Sequence, residues 1–119
     1  MTGMDPFRRY EALVGVGGIG TGIFFALEGN HDIGRNETRL GRLMDYRDAC
    51  KLHIISHMAK VLSGNRLFCV IPVGRVGNDG PGVELLRQME TVGLDTRYVK
   101  KTEKAPTLFA VCFQFPDGS

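Results

Sequence analysis

Short apolar runs alternate with amphipathic stretches along much of this chain. Residues 12–16 and 67–73 are apolar and rich in β-branched side chains, which is typical of strands covered on both faces in a parallel sheet. Residues 46–62 and 83–92 carry apolar side chains three and four positions apart, which predicts two helices that each bury one face. The order strand, helix, strand, helix is typical of an α/β fold.

Helix-end signals frame the two predicted helices. Ser63-Gly64-Asn65 follows the first helix and Gly93 follows the second, and glycine ends many helices because it readily adopts left-handed backbone. Asp79 precedes the second helix as an N-cap. We therefore interpret Gly77, Asp79 and Gly82 as a structural turn between strand and helix.

The remaining segments are predominantly β or loop. Residues 23–27 are compatible with strand or helix, and the polar segment 30–45 is predicted as loop with an exposed strand at 38–43. Strands are predicted at 96–99 and 107–115. Pro116-Asp117-Gly118 is a hairpin turn signal, so we expect a returning strand beyond Ser119 and hence a longer protein.

Composition narrows the class of protein. The 119 residues are 43% hydrophobic and 24% charged, which suits one globular domain or part of one. The net charge of +2 is too small to predict a nucleic-acid partner. Cys50, Cys69 and Cys112 lie far apart, so neither a disulfide framework nor a zinc site is predicted. The charged first twelve residues and the absence of a membrane-length apolar run predict a cytoplasmic protein without a membrane partner.

A glycine-rich pattern in the second half resembles that of a known family. The pattern consists of Gly74, Val76, Gly77, Asp79 and Gly82, then a helix, Gly93-Leu94-Asp95-Thr96 and a strand near Thr107. It resembles the ribokinase-like (PfkB) carbohydrate kinases. The resemblance implies an α/β fold, a ribokinase-like layered sheet with helices plus a small β lid, incomplete in this chain. The 119 residues would form the amino-terminal part of one kinase domain, with its α/β core at about 10–30 and 45–95 and lid strands at about 35–44 and 96–119.

The activity implied by this resemblance is transfer of the γ-phosphoryl group of ATP to a hydroxyl of a sugar or nucleoside-like molecule. The family's general base is the aspartate of a Gly-Ala-Gly-Asp motif in the carboxy-terminal half, and this chain has no such motif. We therefore expect no catalytic residue here, and expect the ATP and Mg²⁺ sites outside the chain. The implied partners are the acceptor, the missing carboxy-terminal part, and a second copy bound through the lid.

Five residues are predicted to bind the acceptor: Gly17, Gly18, Thr21, His53 and Gly74. Members of the family usually hold sugar hydroxyls with an aspartate after the first strand, where this chain has glycines and Thr21. A Gly-Gly-x-x-x-Asn motif usually opens the first long helix, and residues 48–53 stand in its place. Thr21 and His53 offer substitute hydrogen bonds, which leaves the identity of the acceptor open.

Two alternatives follow from other features. The run from Gly15 to Gly20 matches G-x-G-x-x-G after a strand, as in dinucleotide-binding oxidoreductases, but a true fingerprint also needs a full helix directly after it. The altered helix-start motif suits a non-catalytic interaction module with a kinase-like fold. His53 and His57 have the spacing of a metal-binding pair, but Ile54 replaces the glutamate of metalloproteases and a third ligand is not evident, so no metal site is predicted.

Overall fold

The computed structural model describes residues 9–64 and 67–119. Residues 1–8 and Asn65 lie outside the described residues. The predictions from the charged amino-terminal residues and from the end of the first helix rest partly on them. In chain order the elements are β1 (Ala12–Val16), β2 (Gly20–Leu27), β3 (Gly41–Ala49), α1 (Lys51–Ser63), β4 (Cys69–Gly77), α2 (Gly80–Val92), β5 (Val99–Thr102) and β6 (Leu108–Gln114). Within these described residues the strands form two three-stranded sheets.

The first sheet has the strand order β1-β4-β5, and all its pairs are parallel. Both helices pack against β4, and they also contact each other. One face of β4 is buried beneath them through Val70, Pro72 and Val76, whereas Ile71 and Val73 on its other face are half-buried. Met89 of α2 is completely buried in this core. The central apolar strand and the two amphipathic helices thus form the hydrophobic core that the periodicity predicts.

The second sheet has the strand order β3-β2-β6, with β2 antiparallel to β3 and parallel to β6. A bulge between Ile23 and Phe25 interrupts the pairing of β2 with β3. Phe25 stacks on Phe113 of β6, with ring centroids 6.4 Å apart. Large side chains of β6 nevertheless remain about half exposed, including Phe113 at 48%. The second sheet is therefore a thin layer with uncovered apolar surface.

Two strands lie in a different sheet from the one predicted. Residues 20–27, assigned to the core by sequence, form the central strand of the second sheet. The segment after Gly93, assigned to the lid, instead places β5 beside β4 in the first sheet. The reason is a set of backbone contacts along β4: the Asp95 amide donates to the Val70 carbonyl at 2.9 Å, and the Gly74 amide donates to the Tyr98 carbonyl at 3.2 Å. Val99 is buried as a result.

The start of α1 also differs from the prediction. Residues 46–49 continue strand β3, and the helix begins at Lys51 rather than at Tyr46. Pairing with β2 explains the difference, because Ala49 is in register with Thr21. Helix α2 begins at Gly80 and ends at Val92, and the next residue, Gly93, has the left-handed φ of 92° that is typical of a glycine C-cap.

The two helices are short. Neither of them, within the part of the chain that the structure describes, is long and apolar enough to cross a membrane.

Candidate functional site

A cavity of about 610 Å³ lies where β1 ends and α1 begins. Its lining includes Gly15, Gly17 and Gly18, then Cys50 and Lys51 at the start of α1 and Ser56 one turn further on, together with the apolar residues Leu13, Val16, Leu52 and Ile55. In open α/β sheets, ligands bind beyond the carboxyl ends of the parallel strands, and β1 is such a strand. The position of this cavity, which we call the β1 cavity, is therefore that of a ligand site.

The first turn of α1 supplies hydrogen-bond donors to this region. Cys50 is the N-cap residue and makes no side-chain cap hydrogen bond, and no acidic side chain lies in the first turn. The first amides of a helix have no partner within the helix. They also carry the positive end of the helix dipole. Amides of this turn can therefore donate to an electronegative oxygen of a ligand.

Glycines shape the floor of the β1 cavity in two ways. A Cβ added to Gly15 would come within 2.7 Å of Leu52 Cδ1, so the absence of a side chain there lets α1 pack closely over β1. At Gly17 the nearest atom to an added Cβ would be Leu52 Cβ at 3.4 Å, and at Gly18 it would be Leu108 Cδ1, also at 3.4 Å. These two positions have room for a methyl group, and their bare backbone faces the cavity.

The other three predicted acceptor residues do not line the β1 cavity. Gly74 packs behind Gly17, since a Cβ there would lie 2.9 Å from the Gly17 carbonyl oxygen. Thr21 borders a different cavity, of about 480 Å³, between the second sheet and α2. His53 is buried and does not line the β1 cavity. The structure thus brings Gly17, Gly18 and Gly74 together but separates Thr21 and His53 from the β1 cavity.

His53 has an unusual environment for a polar side chain. It is 5% exposed, and its Nδ1 has no hydrogen-bond partner among the described residues. Burial, and to a smaller extent the neighbouring His57, lowers the pKa of His53 below its usual value. The two rings are 6.3 Å apart. His53 is therefore held as a neutral imidazole at ordinary pH.

Sequence reasoning missed the contribution of Cys50, Lys51 and Ser56 to the cavity. The predicted helix started at Tyr46, which would have placed its first turn five residues too early. The signal that could have located it is the β-compatible segment before Cys50, which pairs with β2. That pairing is not visible in helical periodicity, because it depends on a strand distant in sequence.

The turn around Asp79 joins the two sheets. Asp79 is the N-cap of α2, and its Oδ1 accepts from the Gly82 amide at 2.9 Å and from Thr107 Oγ1 at 2.6 Å. Its Oδ2 accepts from the Thr107 amide at 2.8 Å, while Thr107 Oγ1 accepts from the Gly77 amide at 2.9 Å. We call this set of four hydrogen bonds the Asp79 bridge. The bonds from Thr107, and then that from Gly82, lower the pKa of Asp79.

No additional atoms fit inside the Asp79 bridge. A Cβ on Gly77 would lie 2.7 Å from Asp79 Oδ2 and 2.8 Å from the carbonyl carbon of Pro106. One on Gly82 would collide with the Gly77 carbonyl oxygen and lie 2.9 Å from Thr107 Oγ1. Both glycines are therefore required by close approach of the backbone and not by a ligand.

Two other site types do not fit the structure. Within residues 9–64 and 67–119, no group of three or more His, Cys, Asp and Glu side chains is placed to hold a metal ion. The glycine run from Gly15 to Gly20 leads directly into strand β2, whereas a dinucleotide fingerprint requires a helix there to bind the pyrophosphate. The described residues therefore hold no such metal-binding cluster, and the order of elements after Gly20 does not fit the dinucleotide site considered as an alternative.

Comparison with solved structures finds a similar fold in part of several kinases. No family model matches the chain, and no curated protein matches it either. A ribokinase from Cryptococcus neoformans var. grubii serotype A, in complex with ADP, is 24% identical with a TM-score of 0.67, over 92% of this chain and 32% of the kinase. A ribokinase from Giardia lamblia is 23% identical with a TM-score of 0.70, over 89% and 31% of the two chains.

A nucleoside kinase is similar to the same extent. The Burkholderia thailandensis enzyme in complex with inosine is 19% identical with a TM-score of 0.65, over 91% of this chain and 34% of that one. At these identities the likeness shows the fold. The resemblance to ribokinase-like kinases and the α/β fold class are thereby confirmed, and the chain spans about a third of the length of the kinases it matches.

Proposed function

We propose that this chain is the acceptor-binding part and lid of an ATP-dependent, PfkB-type kinase that phosphorylates a hydroxyl of a sugar or nucleoside-like molecule. The observation that carries the proposal is the β1 cavity, which opens at the carboxyl end of a parallel strand in a fold shared with ribokinases and a nucleoside kinase. Ligand position in α/β sheets follows from this geometry.

The acceptor is bound in this proposal mainly by backbone groups. Gly17 and Gly18 bring bare backbone to the cavity, and the first turn of α1 offers amide donors. Gly74 acts indirectly, by allowing close packing behind Gly17. Thr21 lies on β2 and would contact an acceptor only if closure of the second sheet moved it towards the cavity, whereas His53 lies buried on α1 and would not move with that sheet. Positioning of this kind is the main contribution a protein makes to phosphoryl transfer.

The second sheet is proposed as the lid. The second sheet begins next to the β1 cavity. A Cβ added there, to Gly20, would meet both Leu108 and the Cys50 sulfur. A layer attached at this point can cover the acceptor and exclude water from the reacting groups. The half-exposed side chains of β6 suit contact with a second copy of the protein, as a lid-mediated homodimer requires.

The general base, ATP and Mg²⁺ are assigned to a further, carboxy-terminal segment of a cytoplasmic enzyme. The described part of the chain has no metal-binding cluster. Its outer surface also needs a cover: Met58 and Leu62 of α1 are 55% and 85% exposed and do not line the β1 cavity. Apolar surface of this extent is typical of an interface. A segment packed there would complete the core and bring the phosphoryl donor to the acceptor.

Acceptor binding can be tested on this chain by NMR titration with ribose, fructose and inosine. We expect one of these ligands to shift the amides of Gly17, Gly18 and Lys51. Gly17→Ala should weaken that binding at least about tenfold, since its methyl group occupies the cavity. Gly80→Ala is the matched control, because an added Cβ there meets no atom within 4 Å. Shifts confined to residues outside the β1 cavity would contradict the site.

A separate experiment tests whether the nucleotide site lies outside this chain. The isolated chain should show no tight, saturable binding of Mg-ATP, whereas the protein from the complete coding sequence should release ADP in the presence of an acceptor. Tight Mg-ATP binding to the isolated chain would refute the assignment of the nucleotide site. Absence of acceptor-dependent turnover by the complete protein would favour the non-catalytic interaction module.

A further inference from the structure

We infer that Asp79 and Thr107 are positioning residues, which fix the start of β6 to the amino end of α2 and thereby set the orientation of the second sheet over the β1 cavity. The statement that this orientation matters for acceptor binding rests on the proposed function, in which the second sheet is a lid. The mechanical role of the Asp79 bridge itself rests only on the geometry described above.

Three connections link the sheets, and they differ in how they are held. The first contains Gly17 and Gly18, which have no side chains, and the second passes through Cys50, which makes no cap hydrogen bond. The third runs from β5 to β6 and ends at Thr107, which takes part in three of the four bonds of the Asp79 bridge. Side-chain hydrogen bonding is therefore concentrated at the third connection.

Packing beside the bridge leaves the second sheet incompletely supported. A cavity of about 480 Å³, lined by Thr21 and Phe109 of the second sheet and by Pro81 and Gln88 of α2, lies beside the direct contacts between α2 and β2. Phe109 is 57% exposed next to this gap. Ile19, directly before β2, is buried in the core and holds one end of the sheet. Since close-packed contacts resist motion and gaps do not, the side of the sheet next to the cavity depends also on a hydrogen-bonded attachment. The Asp79 bridge is that attachment.

The bridge is also stiff and directional. Asp79 accepts three hydrogen bonds as a carboxylate, and bonds to an ionised acceptor are stronger than neutral ones. The Thr107 hydroxyl uses its proton on Asp79 and accepts from the Gly77 amide, so its orientation is determined at both ends. The glycines at 77 and 82 leave no space for an alternative arrangement.

The test is Thr107→Val, which has the shape of threonine without its hydroxyl. We expect amide hydrogen exchange at Gly77 and across β6 to become about threefold to tenfold faster, as loss of a net hydrogen bond predicts. Exchange in the rest of β4, from Cys69 to Val76, should not change. Residual dipolar couplings of the two sheets should fit one alignment tensor in the parent chain and require two in the variant, which a merely global loss of stability would not produce.

Two further variants make the result specific. Thr107→Ser restores the hydroxyl and should restore both readouts. Thr91→Val removes a comparable hydroxyl bond, from Thr91 to the Arg87 carbonyl in α2, and should leave both sheets in one orientation.

Equal acceleration of exchange in both sheets, or unchanged couplings in Thr107→Val, would overturn the inference. Failure of every acceptor to bind the parent chain would instead contradict the proposed function, with the exchange and coupling results unaffected.

Discussion

The two sheets are built from similar residues but are stabilised differently. Val70, Val76 and Met89 around the first sheet are at most 2% exposed, because two amphipathic helices cover β4. In the second sheet, Phe109 and Phe113 of β6 are about half exposed. A strand-forming sequence acquires a core only where another layer covers it. The first sheet therefore carries most of the stability of the chain, and the second depends on local hydrogen bonds and on its attachment.

The largest expected effect is that of Met89→Ala. Met89 is completely buried in the core of the first sheet, so its truncation should lower the free energy of unfolding by about 2–5 kcal/mol. The matched change in the second sheet, Val111→Ala, removes a side chain that is 46% exposed and should cost less than about 1 kcal/mol. Urea unfolding followed by circular dichroism measures both. Equal costs would show that the two sheets share one core.

Gly82→Ala should have the next largest effect, because it acts where the sheets join. The added methyl group collides with the Gly77 carbonyl and disturbs the Asp79 bridge, so we expect a loss of about 1–3 kcal/mol in urea unfolding. Gly80→Ala, two residues earlier in the same helix, meets nothing within 4 Å and serves as control. If the two variants were equally stable, the close packing of the bridge would be refuted.

A smaller and pH-dependent effect is expected at His53, in the first sheet's core layer. Its folded-state pKa is lowered, so protonation below the ordinary value of 6.5 favours the unfolded state. The parent chain should therefore lose stability as the pH falls through this region. His53→Leu should not show this loss, whereas His57→Gln, at an exposed position, should retain it. Urea midpoints at pH 8 and pH 5.5, bracketing the ordinary histidine pKa, would measure the difference.

The smallest effect is expected at Glu37, in the loop between β2 and β3 of the second sheet. The Gly34 amide donates to its Oε2 at 2.6 Å and Arg39 Nη2 to its Oε1 at 2.7 Å. The bond from Gly34 and then those from Arg39 and His31 lower the Glu37 pKa from 4.5 to about 2.

The direction in which pH changes the stability of this loop follows from the lowered pKa of Glu37. Ionised Glu37 stabilises the loop fully above pH 4.5, and this contribution is lost as the pH falls towards about 2. An NMR titration of the Glu37 carboxyl should give a midpoint near that lower value, and Glu37→Gln should remove the pH dependence of the Gly34 amide shift. A midpoint at the ordinary value of a glutamate would contradict the hydrogen-bonded loop.

Sequence patterns by themselves determined the local elements of this protein. Helical periodicity located α1 and α2, apolar runs located β1 and β4, and Gly93 marked a helix end that the structure confirms. The order of glycines around Asp79 predicted the kinase-like fold, which the structural comparisons confirm. Such features are predictable because a face or a cap depends on residues within a few positions of one another.

Only the tertiary structure decided how distant segments meet. It placed β2 and β5 in sheets other than those predicted, and it separated Thr21 and His53 from the cavity that Gly17 and Gly18 border. It also joined Asp79 to Thr107, 28 residues further along the chain. The physical reason is that strand pairing and side-chain bridges are non-local: a strand pattern shows which face is apolar but not which neighbour the backbone will bind.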